Sequence, residues 1–240
     1  MNALTTSTGL EWPSLFQGSL IKRYKRFMVD VVLDTGESVT AHCPNSGSMQ
    51  ECCEPGRPVY LSYHDNPKRK LKYTWELIEM PSSLVGVNTL IPNRLVATSI
   101  ATDVLAEFKH YDSIHREVNT PYGSRIDLML AKNDQDRCFI EIKNCSLVKD
   151  GTAYFPDAKT ARGLKHLVDL QALVSSGNRC VMFYLIQRMD ARMFKPADHI
   201  DPEYGRELRN AVAHGVEIMV YDVNINLEQI SLRRKIPHAL

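Results

Sequence analysis

The sequence predicts two folds in tandem: a small all-β domain of barrel type, followed by an α/β layered domain. Three observations carry this. Short runs rich in Val, Tyr, Ile and Phe, separated by turn residues, fill the first third of the 240-residue chain. After Pro81 the apolar spacing changes to every fourth residue. From there on, helical patterns alternate with continuous apolar runs, the arrangement of a layered sheet.

The first third reads as five strands: Phe16–Arg23, Phe27–Leu33, Ser38–Cys43, Val59–His64 and Tyr73–Met80. Turn chemistry divides them at Asp34-Thr35-Gly36, Pro44-Asn45-Ser46-Gly47, Pro55-Gly56 and Asp65-Asn66-Pro67. Five short strands in so little chain point to a closed or partly open barrel. An OB-fold fits the count, and an SH3-like barrel fits it almost as well. The domains are expected to span residues 1–82 and 83–240.

After Pro81, Val96, Ile100, Val104 and Phe108 recur every fourth residue, predicting one helix between Asn93 and His110. Strands Ser124–Ala131 and Arg137–Cys145 follow, joined by the polar turn Lys132–Asp136. A helix over Ala161–Ser176 leads into Arg179–Gln187, an apolar run with the character of a buried strand. A last helix, Glu203–His214, stops at Gly215, and Val216–Asp222 is a further buried strand.

Composition bounds the function. The net charge of +1 advertises no polyanion partner, although local basic stretches remain. No apolar run reaches the roughly 18 residues needed to span a bilayer, and Met1–Gly9 lacks the basic and apolar segments of a secretory signal. Cytoplasmic residence is expected, with no membrane partner. The six cysteines, at positions 43, 52, 53, 138, 145 and 180, form no C-x-x-C pair and read as packed, reduced thiols.

The chemistry concentrates in Gly123-Ser-Arg-Ile-Asp127 and Phe139-Ile-Glu-Ile-Lys143. Asp134 lies seven residues from both Asp127 and Glu141, so a hairpin centred there sets the two acids opposite each other. Directly opposed side chains have Cβ atoms about 4.5–5.5 Å apart, close enough for both carboxylates to reach one cation. Alternation puts Glu141 and Lys143 on one face and Ile140 and Ile142 on the other, with Arg125 on the face of Asp127. Two carboxylates and a backbone carbonyl, that of Ile142, suit Mg²⁺ or Mn²⁺. Such an ion with the Lys143 ammonium supplies what phosphodiester hydrolysis needs. Glu117 is a third carboxylate within reach on paper, or an exposed strand residue, and exposure is the preferred reading. The competing reading is a solvated strand face with cross-strand ion pairs.

Gln171 falls among Leu164, Leu167, Val168 and Val174 on a helical wheel, so its amide needs a buried partner or a site to point into. His115 and His166 read as surface histidines. Lys22, Arg23, Lys25 and Arg26 surround Tyr24, while Lys68, Arg69, Lys70 and Lys72 precede Tyr73 and Trp75. Basic residues interleaved with aromatics suit phosphate contact and base stacking, so these residues and Arg125 are the expected DNA contacts. Asn45-Ser-Gly-Ser48 either presents amides to a phosphate or closes a turn.

Asp127 with Glu141-Ile-Lys143 resembles the PD-(D/E)xK phosphodiesterase superfamily. Nearly the whole chain, from Phe16 to about Leu232, resembles the sugar fermentation stimulation protein family. That likeness rests on Cys43-Pro-Asn-Ser-Gly-Ser-Met49, Gly123–Asp127, Glu141-Ile-Lys-Asn144, Phe155-Pro-Asp-Ala158, Arg162-Gly163 and the stretch from Gln187-Arg188 to Asp201-Pro202. The resemblance implies an OB-like domain, a restriction-endonuclease-like mixed sheet flanked by helices, DNA binding, and a regulatory role in bacterial sugar (maltose) use. It implies that Asp127 and Glu141 are metal ligands and Lys143 the catalytic lysine. Gln171 matches the glutamine of a Q-x-x-x-Y helix, although Ser175 stands where the tyrosine would be. Two functions are therefore expected: a Mg²⁺-dependent DNA nuclease, or a catalytically inactive DNA-binding regulator on the same scaffold.

Overall fold

The computed structural model describes residues 8–133 and 136–240. Strand β1 (Leu10–Glu11) is followed by β2 (Leu15–Tyr24), β3 (Met28–Leu33), β4 (Ser38–His42), β5 (Pro58–Tyr63), β6 (Tyr73–Met80) and β7 (Ser83–Gly86). Strands β2 to β7 make one sheet in the order β4-β3-β2-β5-β6-β7. A short parallel pairing, Ala41 with Tyr73 and His42 with Thr74, joins β4 to β6 and closes the barrel in the OB manner. Its interior is Leu20, Val29, Val31, Ala41, Leu61, Trp75 and Ile78, the inward half of alternating strands.

All five expected barrel strands are present, within two residues at each end. Two short ones escaped the pattern because they offer too few residues for alternation. β7 extends the barrel sheet past residue 82. β1 leaves the barrel altogether and pairs Leu10 with Ile230 in the second domain.

The second domain starts with α1 (Ile91–Ala101). The helix expected from Asn93 to His110 ends early, because Asp103 takes a left-handed backbone (φ 60). Leu105 and Phe108 still reach the core, the latter from a 3₁₀ turn at Ala106–Phe108. Then come β8 (Ser113–Asn119), β9 (Arg125–Ala131), β10 (Arg137–Cys145), β11 (Leu147–Lys149), β12 (Thr152–Phe155), α2 (Ala161–Ser175), β13 (Arg179–Ile186), β14 (Met193–Pro196), α3 (Pro202–Ala213), β15 (Glu217–Ile225) and β16 (Gln229–Lys235).

Seven strands form a mixed sheet ordered β1-β16-β15-β13-β10-β9-β8, with β10, β13 and β15 parallel at its centre. Strand β13 shows why its sequence is continuously apolar. Val181, Phe183 and Leu185 pack towards α1, and Cys180, Met182, Tyr184 and Ile186 towards α2 and α3. Strands β11, β12 and β14 make a small side sheet. Asp201 caps α3 by accepting from Tyr204 N at 3.2 Å and also accepts from Thr160 N at 2.9 Å. One buried carboxylate thus ties the N-termini of both helices, since Thr160 is the N-cap of α2. No helix among the described residues is long and apolar enough to cross a membrane.

Candidate metal centre

The β9–β10 register runs Arg137 with Ala131 through Ile140 with Leu128, and one more step brings Glu141 opposite Asp127. This is the expected register, although the turn centre at Asp134 lies outside the described residues. The ladder stops at Ile140, where β9 peels away. The Ile142 amide is thereby left without a strand partner, and Asp127 Oδ2 accepts it at 2.8 Å. Asp127 Oδ1 accepts from Asn93 Nδ2, in the first turn of α1, at 2.7 Å.

Glu141 and Lys143 share the α2 side of the sheet, as alternation requires, while Ile140 and Ile142 enter the core against α1. Glu141 is only 2% exposed and His166 only 3%. Glu141 Oε1 accepts from Lys143 Nζ at 2.6 Å and from the His166 ring through Nδ1. Glu141 Oε2 is buried and has no hydrogen-bond partner among the described residues. Such an orphan is costly unless something else occupies its lone pairs. Burial pushes the Glu141 carboxyl up, but Lys143 and His166 outweigh it and hold the group below its ordinary value. Asp127 moves the other way: burial first, and then the neighbouring Glu141 charge, push it up to about 6.

These residues open into a cleft of about 340 Å³. Its walls come from both domains: Asn45, Ser46 and Gly47 of the barrel, Asn93 of α1, the acids and Lys143 of the sheet, and the segment from Phe155 to Arg162. The Asn45 loop is folded by its own side chain, whose Oδ1 accepts from Gly47 N at 2.8 Å. Asp157 Oδ2 accepts from Met49 N at 3.2 Å and from the Ser48 hydroxyl at 3.4 Å, so the Gly47 and Met49 amides of the loop are both already engaged in closing it. A side chain at position 47 would run into the Asp157 carboxylate, which is why glycine stands there.

Other expected site residues lie elsewhere. Gln171 is not in the cleft. It sits between α2 and α3, giving Nε2 to Glu207 Oε1 at 2.6 Å and Leu167 O at 3.2 Å, with Oε1 accepting from Asn210. The wheel was centred one step off: Val168 is 50% exposed, whereas Gly163, His166, Leu167, Leu170 and Leu173 form the buried face. The same i, i+3, i+4 spacing marks His166 as buried, so the surface reading of that residue is corrected. Gln171→Ala should therefore leave any cleavage rate unchanged while lowering unfolding stability by about 1 kcal/mol, measured by denaturant titration.

Glu117 and Arg125 also stay outside the cleft, paired with each other at 2.7 Å. Glu117 has a left-handed backbone (φ 55), which breaks the alternation that would have aligned it with Asp127. His115 is exposed, as expected. Arg162 enters the sequence reading only as part of the Arg162-Gly163 stretch, without a role, and Asn93 has none there. An asparagine one turn into a helix carries no signal without the fold.

On the barrel, Arg23 turns inward: its guanidinium donates to Asn45 O at 2.8 Å, Gly47 O at 3.0 Å and Ser48 O at 3.3 Å, pinning the cleft loop. Lys22, Lys25, Arg26, Lys68 and Lys70 are exposed. Lys22 Nζ lies over the Tyr24 ring. Lys72 donates to Asn66 O at 3.1 Å. The two basic loops meet around His42, which packs against the Phe27 ring. Its ladder partner Thr74 accepts from Arg69 at 2.8 Å. Tyr73 forms an edge-to-face trio with the exposed rings of Phe16 and Tyr63. All six cysteines are unbridged, five of them buried.

Comparison with known proteins agrees with this architecture. Residues 21–87 match the model of the SfsA N-terminal OB domain, and residues 90–229 that of the sugar fermentation stimulation protein RE domain. The chain belongs to the sugar fermentation stimulation protein family. Homologues of that name from Geotalea uraniireducens and Geobacter sulfurreducens are each 50% identical to it, covering 92% and 93% of this chain and 96% and 95% of theirs. The fold matches that of Pyrococcus furiosus SfsA, solved in complex with Ca²⁺, at a TM-score of 0.88 and 24% identity over 96% of this chain and 98% of that one.

Proposed function

We propose that this protein binds DNA and carries a Mg²⁺-dependent phosphodiesterase centre at Asp127, Glu141 and Lys143. The observation that carries the reading is Glu141 Oε2, a buried carboxylate oxygen without a partner, beside an Asp127 whose ionisation is resisted. A divalent cation between them would relieve both. Ile142 offers a third oxygen, because a residue whose amide points to the side β9 has left points its carbonyl there too. Two carboxylates suit an ion that keeps several waters, and the Ca²⁺ bound by the Pyrococcus relative is also a hard cation. A cation held there supplies positive charge to a phosphodiester oxygen. The Lys143 ammonium, fixed by Glu141, would lie beside the reacting phosphate and stabilise its added charge. Arg162 and Lys159, which line the cleft, would hold flanking phosphates.

The loops carrying Lys25 and Arg26 and Lys68–Lys72 join β2 to β3 and β5 to β6, the positions from which OB barrels grip oligonucleotides. Alanine at Lys68, Lys70 and Lys72 should lower the salt dependence of DNA affinity by about one unit per lost phosphate contact. Anisotropy titrations against salt read this out, and an unchanged slope removes the surface from the proposal. Cleavage of single- and double-stranded DNA would be assayed with Mg²⁺, Mn²⁺ or EDTA, using the Glu141→Ala protein as control. Metal-dependent cutting lost in the variant is expected; no cutting by the native protein counts against catalysis.

A second reading, a DNA-binding regulator of sugar use without catalysis, is favoured by one observation. Both Asp127 oxygens already accept hydrogen bonds, from Ile142 N at 2.8 Å and Asn93 Nδ2 at 2.7 Å, so the carboxylate has structural partners without an ion. On that reading Glu141→Ala leaves DNA affinity intact, and the relatives' association with sugar fermentation acts through binding alone.

A further inference from the structure

His166 has no part in the sequence motif, yet its ring contacts Glu141, Lys143 and Arg162. Its Nδ1 meets Glu141 Oε1 and lies 3.4 Å from Lys143 Nζ, and its Nε2 lies 3.4 Å from Arg162 Nε. The donors settle the tautomer. A guanidinium can only donate, so Nε2 accepts from Arg162 and the ring proton sits on Nδ1. An ammonium can only donate as well, so Lys143 and Nδ1–H do not bond to each other; both give to the same carboxylate oxygen. Oε1 is thus held twice and Oε2 not at all. A buried carboxylate kept only for stability would have donors on both oxygens. Here both donors sit on Oε1, and Oε2 is the oxygen left bare in a residue that lines the cleft.

We propose that His166 is a positioning residue of the metal site: its Nδ1–H fixes one oxygen of Glu141 so that the other is presented to a divalent cation, an inference resting on the metal reading above. Arg162 then serves twice, in the cleft lining and as the group that sets the tautomer. Residues that orient a ligand in this way typically change metal affinity by about 10- to 100-fold when removed.

The test is Mn²⁺ binding by calorimetry on the full chain, without nucleic acid, alongside the thermal midpoint of each metal-free protein. His166→Leu should bind Mn²⁺ at least about tenfold more weakly. His166→Asn puts an amide N–H where Nδ1–H stood and should restore affinity to within about threefold of the native value. His166→Gln reaches the Nε2 position instead and should not restore it; the Asn and Gln pair decides the matter if the Leu protein does not fold. Native-like Mn²⁺ affinity in the Leu or Gln protein, with only a lowered midpoint, overturns the positioning role and leaves the metal site standing. Failure of the native protein to bind Mn²⁺ overturns the metal reading and this inference with it.

Discussion

Replacing Asp127 by Asn should raise the thermal midpoint of the metal-free protein at pH 8, and the gain should fade as the pH falls towards 4. The carboxyl is held at about 6, above its unfolded value, so the folded state prefers the protonated form. The penalty is absent below the unfolded value near 4, grows as pH rises to about 6, and stays constant above it. Holding the carboxyl at about 6 instead of near 4 costs the charged folded state about 3 kcal/mol; partial exposure reduces the expected gain to roughly 2 kcal/mol, a few degrees for a chain this size. Asparagine can keep both hydrogen bonds, accepting from Ile142 N and donating to a turned Asn93 amide. Saturating Mn²⁺ should reverse the order, stabilising only the native protein. Thermal scans at pH 4 and 8, with EDTA and with Mn²⁺, check all four combinations. A loss of stability in the metal-free Asn protein at pH 8 would show that Asp127 is an ordinary structural anion.

The parts of this molecule that are legible in its sequence are those governed by local rules. Alternation placed Glu141 and Lys143 on one face, and the seven-residue spacing about Asp134 gave the register that brings Asp127 across from Glu141. Turn residues delimited the barrel strands, because each turn needs its own backbone geometry. What stayed hidden depends on contacts between distant segments. Arg23 looked like a phosphate contact, but three carbonyls of a loop more than twenty residues away take its guanidinium. His166 looked superficial because the apolar stripe of α2 is interrupted by His166 and Asp169, both buried by partners the sequence does not name. Lys165 takes Asp169 at 2.6 Å, and the sheet takes His166. Polar residues on a buried helical face shift the apparent centre of that face, and Gln171 was misplaced by the same displacement.

Lys143→Met should separate metal binding from chemistry more sharply than any ligand substitution. Lys143 Nζ is largely buried and gives Glu141 a partner at 2.6 Å. Its removal leaves two neighbouring carboxylates with the His166 N–H, the Ile142 amide and Asn93, but no cation in contact with Glu141 Oε1. Breaking a buried pair in this way costs about 3–5 kcal/mol, since the remaining charge is uncompensated. A divalent cation would restore that compensation. The variant should therefore gain more thermal stability from Mn²⁺ than the native protein does, and should bind the ion at least as tightly. DNA cleavage should nevertheless fall by about 100-fold or more, because the charge facing the phosphate has gone. The three measurements pull in different directions, so a merely unfolded variant cannot imitate the result. Should Mn²⁺ affinity drop together with cleavage, Lys143 would be acting only through the shape of Glu141, and the ammonium would have no role of its own in the chemistry.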